Sequence, residues 1–96
     1  MDNTTYLNLA EKAFEQIIEL IESINDDVEY EINGNILSLE FESGYEIIIN
    51  KQEAMKEIWL ASTKGGFHFA FTNGLWYSSK DSIDLFSKIK EELKNN

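Results

Sequence analysis

The chain contains no cysteine and no proline. Without thiols it has no disulfide, no thiolate metal ligand and no thiol nucleophile, which fits a reducing compartment. Without proline, its loops must turn on Gly, Asn and Ser. Apolar runs stop at three or four residues, far short of the ~20 that a spanning helix needs. The amino end, Met1 to Tyr6, has neither the basic and apolar regions of a secretory signal nor the Arg-rich character of a transit peptide, so a cytoplasmic location is expected. The single histidine, His68, can build neither a catalytic triad nor a metal cage. Gly65-Gly66 reads as a hairpin turn and not as the opening of a helix, so there is no phosphate-cradling loop. Nucleophile elbows, EF-hand spacings, internal repeats and low-complexity tracts are all missing.

Positive charge is scarce where negative charge is dense. Residues 1–50 carry twelve acids against the single base Lys12, a net of −11, whereas residues 51–96 carry six acids and seven lysines, a net of +1. The whole formal charge of −10 therefore belongs to the amino-terminal half. Such a field repels phosphate backbones and anionic lipid, which argues against nucleic acid and membrane partners, and it attracts cations and basic protein patches.

The length of 96 residues suits one domain, residues 1–96, that buries about two-thirds of its unfolded surface. From Thr5 to Ile24, Tyr6, Leu9, Ala10, Ala13, Phe14, Ile17, Leu20, Ile21 and Ile24 recur at helical spacing, with an acidic opposite face. The period then becomes two. Val28, Tyr30 and Ile32 alternate with Asp27, Glu29 and Glu31, and Leu37, Leu39 and Phe41 alternate with Ser38, Glu40 and Glu42, the signature of half-buried strands. Asn33-Gly34 suits a type I′ hairpin turn, and Ser43-Gly44 a second tight turn. Lys64-Gly65-Gly66 and Asn73-Gly74 separate three further strand-like runs, which end at Tyr77. After Ser78-Ser79 the helical period returns with Ile83, Phe86, Ile89 and Leu93. Asp81 and Asp84 stand at its amino end, and Lys88, Lys90 and Lys94 toward its carboxyl end, as the helix dipole prefers. The expected fold is α+β, a two-layer α/β sandwich. Its five- to six-stranded antiparallel sheet has both helices packed on one face, because the other face carries Glu29, Glu31, Ser38, Glu40, Glu42, Glu46 and Glu57. Trp76 is expected in the core.

Glu11, Glu15 and Glu19 follow one another at i, i+4, with Glu22 three residues on. Like charges at that spacing cost an isolated helix about 0.2–0.5 kcal/mol per pair, and Glu19 and Glu22 also oppose the dipole. The stripe runs on into Asp26, Asp27, Glu29 and Glu31. Two readings stand side by side: a solubilising face with an edge strand guarded by charge, and a cation-binding ridge. Carboxylate oxygens are hard donors suited to Mg²⁺, Ca²⁺, Mn²⁺ and iron, and with no His or Cys among them binding would be weak and multi-site. A convex helix face offers no pocket for a hydrolytic carboxylate pair, so acid–base catalysis is not expected. In Glu57-Ile58-Trp59-Leu60-Ala61, Ile58 and Leu60 are the natural core residues, which turns Trp59 to the open face as a binding anchor or a shield over neighbouring aliphatics. His68 falls on the same face.

Tyr30-Glu31-Ile32-Asn33-Gly34, Ile47-Ile48-Ile49-Asn50-Lys51-Gln52-Glu53, Ile58-Trp59-Leu60-Ala61 and Gly65-Gly66-Phe67-His68-Phe69, behind an acidic first helix, resemble the bacterial frataxin family of the CyaY type over nearly the whole chain. The resemblance implies the frataxin sandwich and a non-enzymatic role in iron–sulfur cluster assembly, as iron donor or regulator. It implies weakly bound iron, Fe²⁺ or Fe³⁺, on Glu11, Glu19, Glu22, Asp26, Asp27, Glu29 and Glu31, a ridge that would also meet a basic groove on the cysteine desulfurase. Asn50, Gln52 and Trp59 match the family's sheet-surface residues for contacting the desulfurase and the iron–sulfur scaffold protein. Ile18 and Ser23 stand where relatives often add acids, the connection after Ser23 is short, and Ala54 stands where proline is common, so a ridge of reduced capacity is expected. A monomer is expected without iron. The alternatives are a ferroxidase or iron-storage assembly, and an acidic secretion-type chaperone that would be a constitutive dimer.

Overall fold

The computed structural model describes residues 1–24 and 27–94; the side chain of Ile24, with Asn25, Asp26, Asn95 and Asn96, lies outside the described residues. Helix α1 spans Asn3–Ile24, two residues longer at its amino end than the apolar period alone indicates. The reason is Asp2, whose carboxylate accepts the Thr5 amide at 2.7 Å while its carbonyl accepts the Tyr6 amide at 3.0 Å, the geometry of an N-cap. The backbone and hydroxyl hydrogen bonds from Thr5 hold the Asp2 carboxyl below its usual range. Strands β1 (Val28–Asn33), β2 (Ile36–Phe41), β3 (Glu46–Gln52), β4 (Glu57–Ser62), β5 (Gly65–Thr72), β6 (Leu75–Ser78) and β7 (Ile83–Asp84) follow, then α2 (Leu85–Lys94). Every neighbouring pair is antiparallel and the spatial order is the chain order.

Among the described residues the sheet therefore has seven strands, where five or six were expected. The extra one, Ile83–Asp84, pairs with Tyr77 and Ser78 of β6 and removes two residues from the start of the expected second helix. Asp84 becomes the cap of α2, accepting the Ser87 amide at 3.2 Å and the Ser87 hydroxyl at 2.6 Å. Burial pushes its carboxyl upward, but the bonds from Ser87 outweigh this, with backbone help from Asp84 and Phe86, so it sits below its usual range. Asp81 serves the preceding turn instead, bonded to Ser78. The first hairpin also differs. Asn33 pairs with Ile36, so the loop is Gly34-Asn35 and only Gly34 has positive φ, +63°, the sign pattern of a type II′ turn. Asn73-Gly74, with φ of 52° and 82°, has the sign pattern of a type I′ turn instead.

Alternation sends Leu37, Leu39, Phe41, Ile47, Ile49, Ile58, Leu60 and Phe69 to one face, where α1 contributes Tyr6, Ala10, Ala13, Phe14, Ile17 and Ile21, and α2 contributes Leu85, Ile89 and Leu93. Trp76 is buried there, edge-on to Tyr6 and to Phe71. The Tyr6 hydroxyl donates to the Glu57 carbonyl at 2.7 Å. Burial, then the charges of Glu53 and Glu57, raise its pKa to about 12. The helix-facing side of β1 departs from the expected pattern. Val28 is buried, but Tyr30 and Ile32 are 42% and 49% exposed, because β1 is the border strand and the helices do not cover it.

Among the described residues, three charged side chains point inward. Lys88 lies buried over the Phe67 ring, 4.1 Å from its centroid, and pairs with Glu91 at 3.2 Å and with the fully buried Glu92 at 3.4 Å. Glu92 also accepts the Tyr45 hydroxyl. Burial lowers the Lys88 pKa, yet the two carboxylates more than offset this and the net shift is upward. The third is Lys51, 9% exposed on β3, whose ammonium lies 4.7 Å from the Phe14 centroid and pairs with Glu11 of α1.

Candidate functional site

The helix-free face is built from cross-strand rows. One runs Glu29–Glu40–Glu46 over β1, β2 and β3, three carboxylates on directly opposed positions, where like charges repel. At the end of this row Asp27, Glu29, Glu40, Phe41, Glu42 and Gly44 line a depression of about 500 Å³. The next row is Glu31–Ser38–Ile48–Ala61, and the third is Asn33–Ile36–Asn50–Trp59–His68. Neither of the first two rows contains a lysine.

The residues expected to hold cations fall on two layers. Glu11, Glu19 and Glu22 are exposed on α1, whereas Glu29 and Glu31 are exposed on the face of β1 turned away from the helices, and Asp27 is exposed in the turn before it. Asp26 lies outside the described residues. One of the Glu11 oxygens is taken by Lys51. Among the described residues, no three His, Cys, Asp or Glu side chains form a preformed metal-coordinating group. The donor set is thus open and made only of hard carboxylate oxygens, which suits an exchangeable hard cation rather than a caged one. Sequence reasoning assigned Glu29, Glu40, Glu42 and Glu46 to one open face but did not set Glu29, Glu40 and Glu46 directly opposite one another or bring Asp27 beside them. The signal that joins them is strand register, which a hairpin loop placed one residue earlier gets wrong by two positions.

Trp59 stands on the open face, partly exposed, with its ring stacked on His68 at 4.1 Å and 9°. Its indole N–H donates to Glu57 Oε1 at 2.8 Å, so the indole plane is fixed by a stack and a bond together. Asn50 is its direct cross-strand neighbour, and Gln52 opposes Glu57 one row on. The three residues expected to dock a partner therefore form one contiguous patch on the interior strands β3 and β4. Beyond it, Glu57, His68, Tyr77, Lys80 and Asp81 border a smaller hollow of about 230 Å³.

All 96 residues of the chain match the family model of the frataxin-like domain. The chain belongs to the frataxin family. It is 43% identical over 96 residues to the iron–sulfur cluster assembly protein CyaY of Vibrio atlanticus, covering 100% of this chain and 92% of that protein. To the protein of the same name in Vibrio cholerae it is 42% identical over 92 residues, covering 96% and 88%. Among solved structures, the frataxin of Psychromonas ingrahamii superposes with a TM-score of 0.91 at 31% identity, covering 97% of this chain and 89% of that one. A trimeric yeast frataxin from Saccharomyces cerevisiae, complexed with ferrous iron, superposes at 0.74 with 27% identity, covering 99% and 85%. The frataxin fold here is the seven-stranded sheet with both helices on one side, and among the described residues no helix is long and apolar enough to cross a membrane.

Proposed function

We propose that this frataxin-family chain serves iron–sulfur cluster assembly in the cytoplasm, without catalysing a reaction of its own. It would hold iron loosely as cargo and dock the cysteine desulfurase and the scaffold protein. The iron-holding residues are Glu11, Glu19, Glu22, Asp26, Asp27, Glu29 and Glu31, and Glu11 contributes less than an unshared carboxylate would because Lys51 holds one of its oxygens. The observation that carries this reading is the gathering of Asp27 and Glu29 with Glu40 and Glu42 around one open depression, at the end of a sheet row without a lysine. Carboxylates left in repulsion on a rigid sheet lower the free energy of an arriving cation, and an open rim lets it leave. Iron reaches such a site as hydrated Fe²⁺ and exchanges waters for carboxylate oxygens, with no redox step required. Asn50, Gln52 and Trp59 supply the docking patch, since an aromatic ring held flat by His68 offers contact area at little entropic cost. The relatives' names, iron–sulfur cluster assembly protein, and the ferrous complex of a yeast relative support the same assignment.

The test is an anaerobic Fe²⁺ titration followed by backbone NMR. Peaks from residues 11–31 and from Glu40 and Glu42 are expected to shift or broaden first. A response confined to His68, or spread evenly over the molecule, would refute the ridge.

A further inference from the structure

Strand β1 is the border of the sheet, and its backbone faces can be assigned. The Asn35 carbonyl accepts the Lys51 amide at 2.9 Å, and the Phe41 amide donates to the Tyr45 carbonyl at 2.9 Å. Odd-numbered residues of this stretch thus direct their backbone groups to β3. The even ones, Ile36, Ser38 and Glu40, direct theirs to β1, where they oppose Asn33, Glu31 and Glu29. In an antiparallel ladder, hydrogen-bonded and non-hydrogen-bonded pairs alternate. The amides and carbonyls of Val28, Tyr30 and Ile32 therefore point out of the sheet, and Tyr30 and Ile32 are also the two apolar side chains of β1 left 42% and 49% exposed.

We infer that β1 is a strand-addition site for an extended basic segment of a partner protein, which joins antiparallel as an eighth strand. An added strand would form hydrogen-bonded pairs with Tyr30 and Ile32 and lay its own apolar side chains along theirs. Its intervening residues would oppose Glu29 and Glu31 in non-hydrogen-bonded pairs, where side chains approach most closely. Lysine or arginine at those two positions extends the Glu29–Glu40–Glu46 row with the charge that the row lacks. The occupant is thus a segment in which basic and apolar residues alternate. A second copy of this chain does not fit, because the best-overlapped antiparallel registers of β1 on itself set Glu29 against Glu31 or Glu31 against itself. The acids of β1 act against self-pairing while leaving the edge open to a basic strand. The inference deepens the docking part of the proposed function and rests on it only in taking these acids to face a partner; it involves no iron.

The test uses the full chain without metal and a capped peptide of about seven residues, matching the length of one strand, in which lysine alternates with valine. Amide hydrogen exchange read by NMR, at about 0.15 M salt to suppress non-specific attraction, should show Tyr30 and Ile32 exchanging fast in the free protein and Glu31 protected. Saturating peptide should slow Tyr30 and Ile32 by about tenfold or more and leave Glu31 unchanged. N-methylation of the valines preserves every charge but removes the donors to β1, and should weaken binding at least about tenfold. The variant Glu29→Gln/Glu31→Gln should lose the same interaction while keeping its fold. Equal binding of the N-methylated peptide would reduce the effect to charge attraction and overturn the inference. So would protection of Tyr30 and Ile32 in the free protein, either intrinsic or rising with protein concentration, since the edge would then already be covered. An iron titration that fails while this experiment succeeds would remove the cargo reading and leave the strand-addition site standing.

Discussion

Replacing Glu11 by Gln separates the acids that hold this fold together from those that face outward. Lys51 is 9% exposed, sits over Phe14 and has Glu11 as its ion-pair partner. Removing one partner of a fully buried pair costs about 3–5 kcal/mol. The Glu11 side chain is 58% exposed, so water reaches its side of the pair and the cost falls toward the ~1–3 kcal/mol of a lost charged hydrogen bond. Glutamine keeps an oxygen that can accept from the ammonium, which sets the expectation at about 2 kcal/mol. For a domain of this size that lowers Tm by roughly 8–16 °C. Lys51→Met removes the other charge and leaves an apolar stem against Phe14, so the double variant should recover most of the loss. A four-member cycle by urea denaturation, with Tm as a second readout, gives the coupling directly. Fe²⁺ uptake by Glu11→Gln should fall only slightly, whereas Glu19→Gln/Glu22→Gln should reduce uptake without lowering Tm. If Glu11→Gln leaves Tm unchanged and abolishes an iron site, the carboxylate belongs to the ridge and the pairing argument is wrong.

Glu40→Lys turns two opposed like-charge pairs, with Glu29 and Glu46, into attractive ones. At roughly 0.2–1 kcal/mol per pair it should raise Tm at low salt by several degrees, a gain that shrinks in about 1 M NaCl, while weakening Fe²⁺ uptake; no gain at low salt would contradict the repulsive row. Trp59→Ala should leave the urea midpoint nearly unchanged but weaken capture by the desulfurase–scaffold complex by about 30-fold or more, as loss of a hot spot does. A collapse of stability instead would make the indole a structural shield.

The elements legible in the sequence are those in which one period governs a long run. Helix α1, the alternating strands of the first hairpin and the core residues Leu37, Leu39, Ile58 and Leu60 follow from spacing alone. What escaped were features set by neighbours distant in sequence. The two residues of β7 are too few to display a period, so they read as the start of α2. Lys88 stands between Ser87 and Ile89 in the first half of α2, and nothing local reveals that Phe67 and Glu92 await it. Alternation in β1 reports correctly that Tyr30 and Ile32 share the helix-side face, but it does not report whether helices cover that face. Trp59 beside His68 was legible as a shared face, while their stack depends on a register fixed across the β4–β5 hairpin. The acidic row was hidden for the same reason. Its members were visible, yet their opposition depends on whether the loop is Asn33-Gly34 or Gly34-Asn35.

Lysine placement divides the acids of this chain into two groups. Glu11, Glu91 and Glu92 each meet a lysine, and both of those lysines, Lys51 and Lys88, are buried against aromatic rings and come from the carboxyl-terminal half. Asp2 and Asp84 are committed to helix caps. The Glu29–Glu40–Glu46 row and its neighbour across Glu31 contain no lysine. Selection for stability alone would place one there at little cost, since surface positions on a sheet tolerate either charge and the gain is immediate. That a chain with eight bases places none of them in these rows is most simply understood if the compensating charge arrives from outside. It would come as a metal cation in the depression beside Asp27, or as a basic strand along β1. The two guests would then compete for Glu29, so iron occupancy and strand addition are linked, each weakening the other by the same factor.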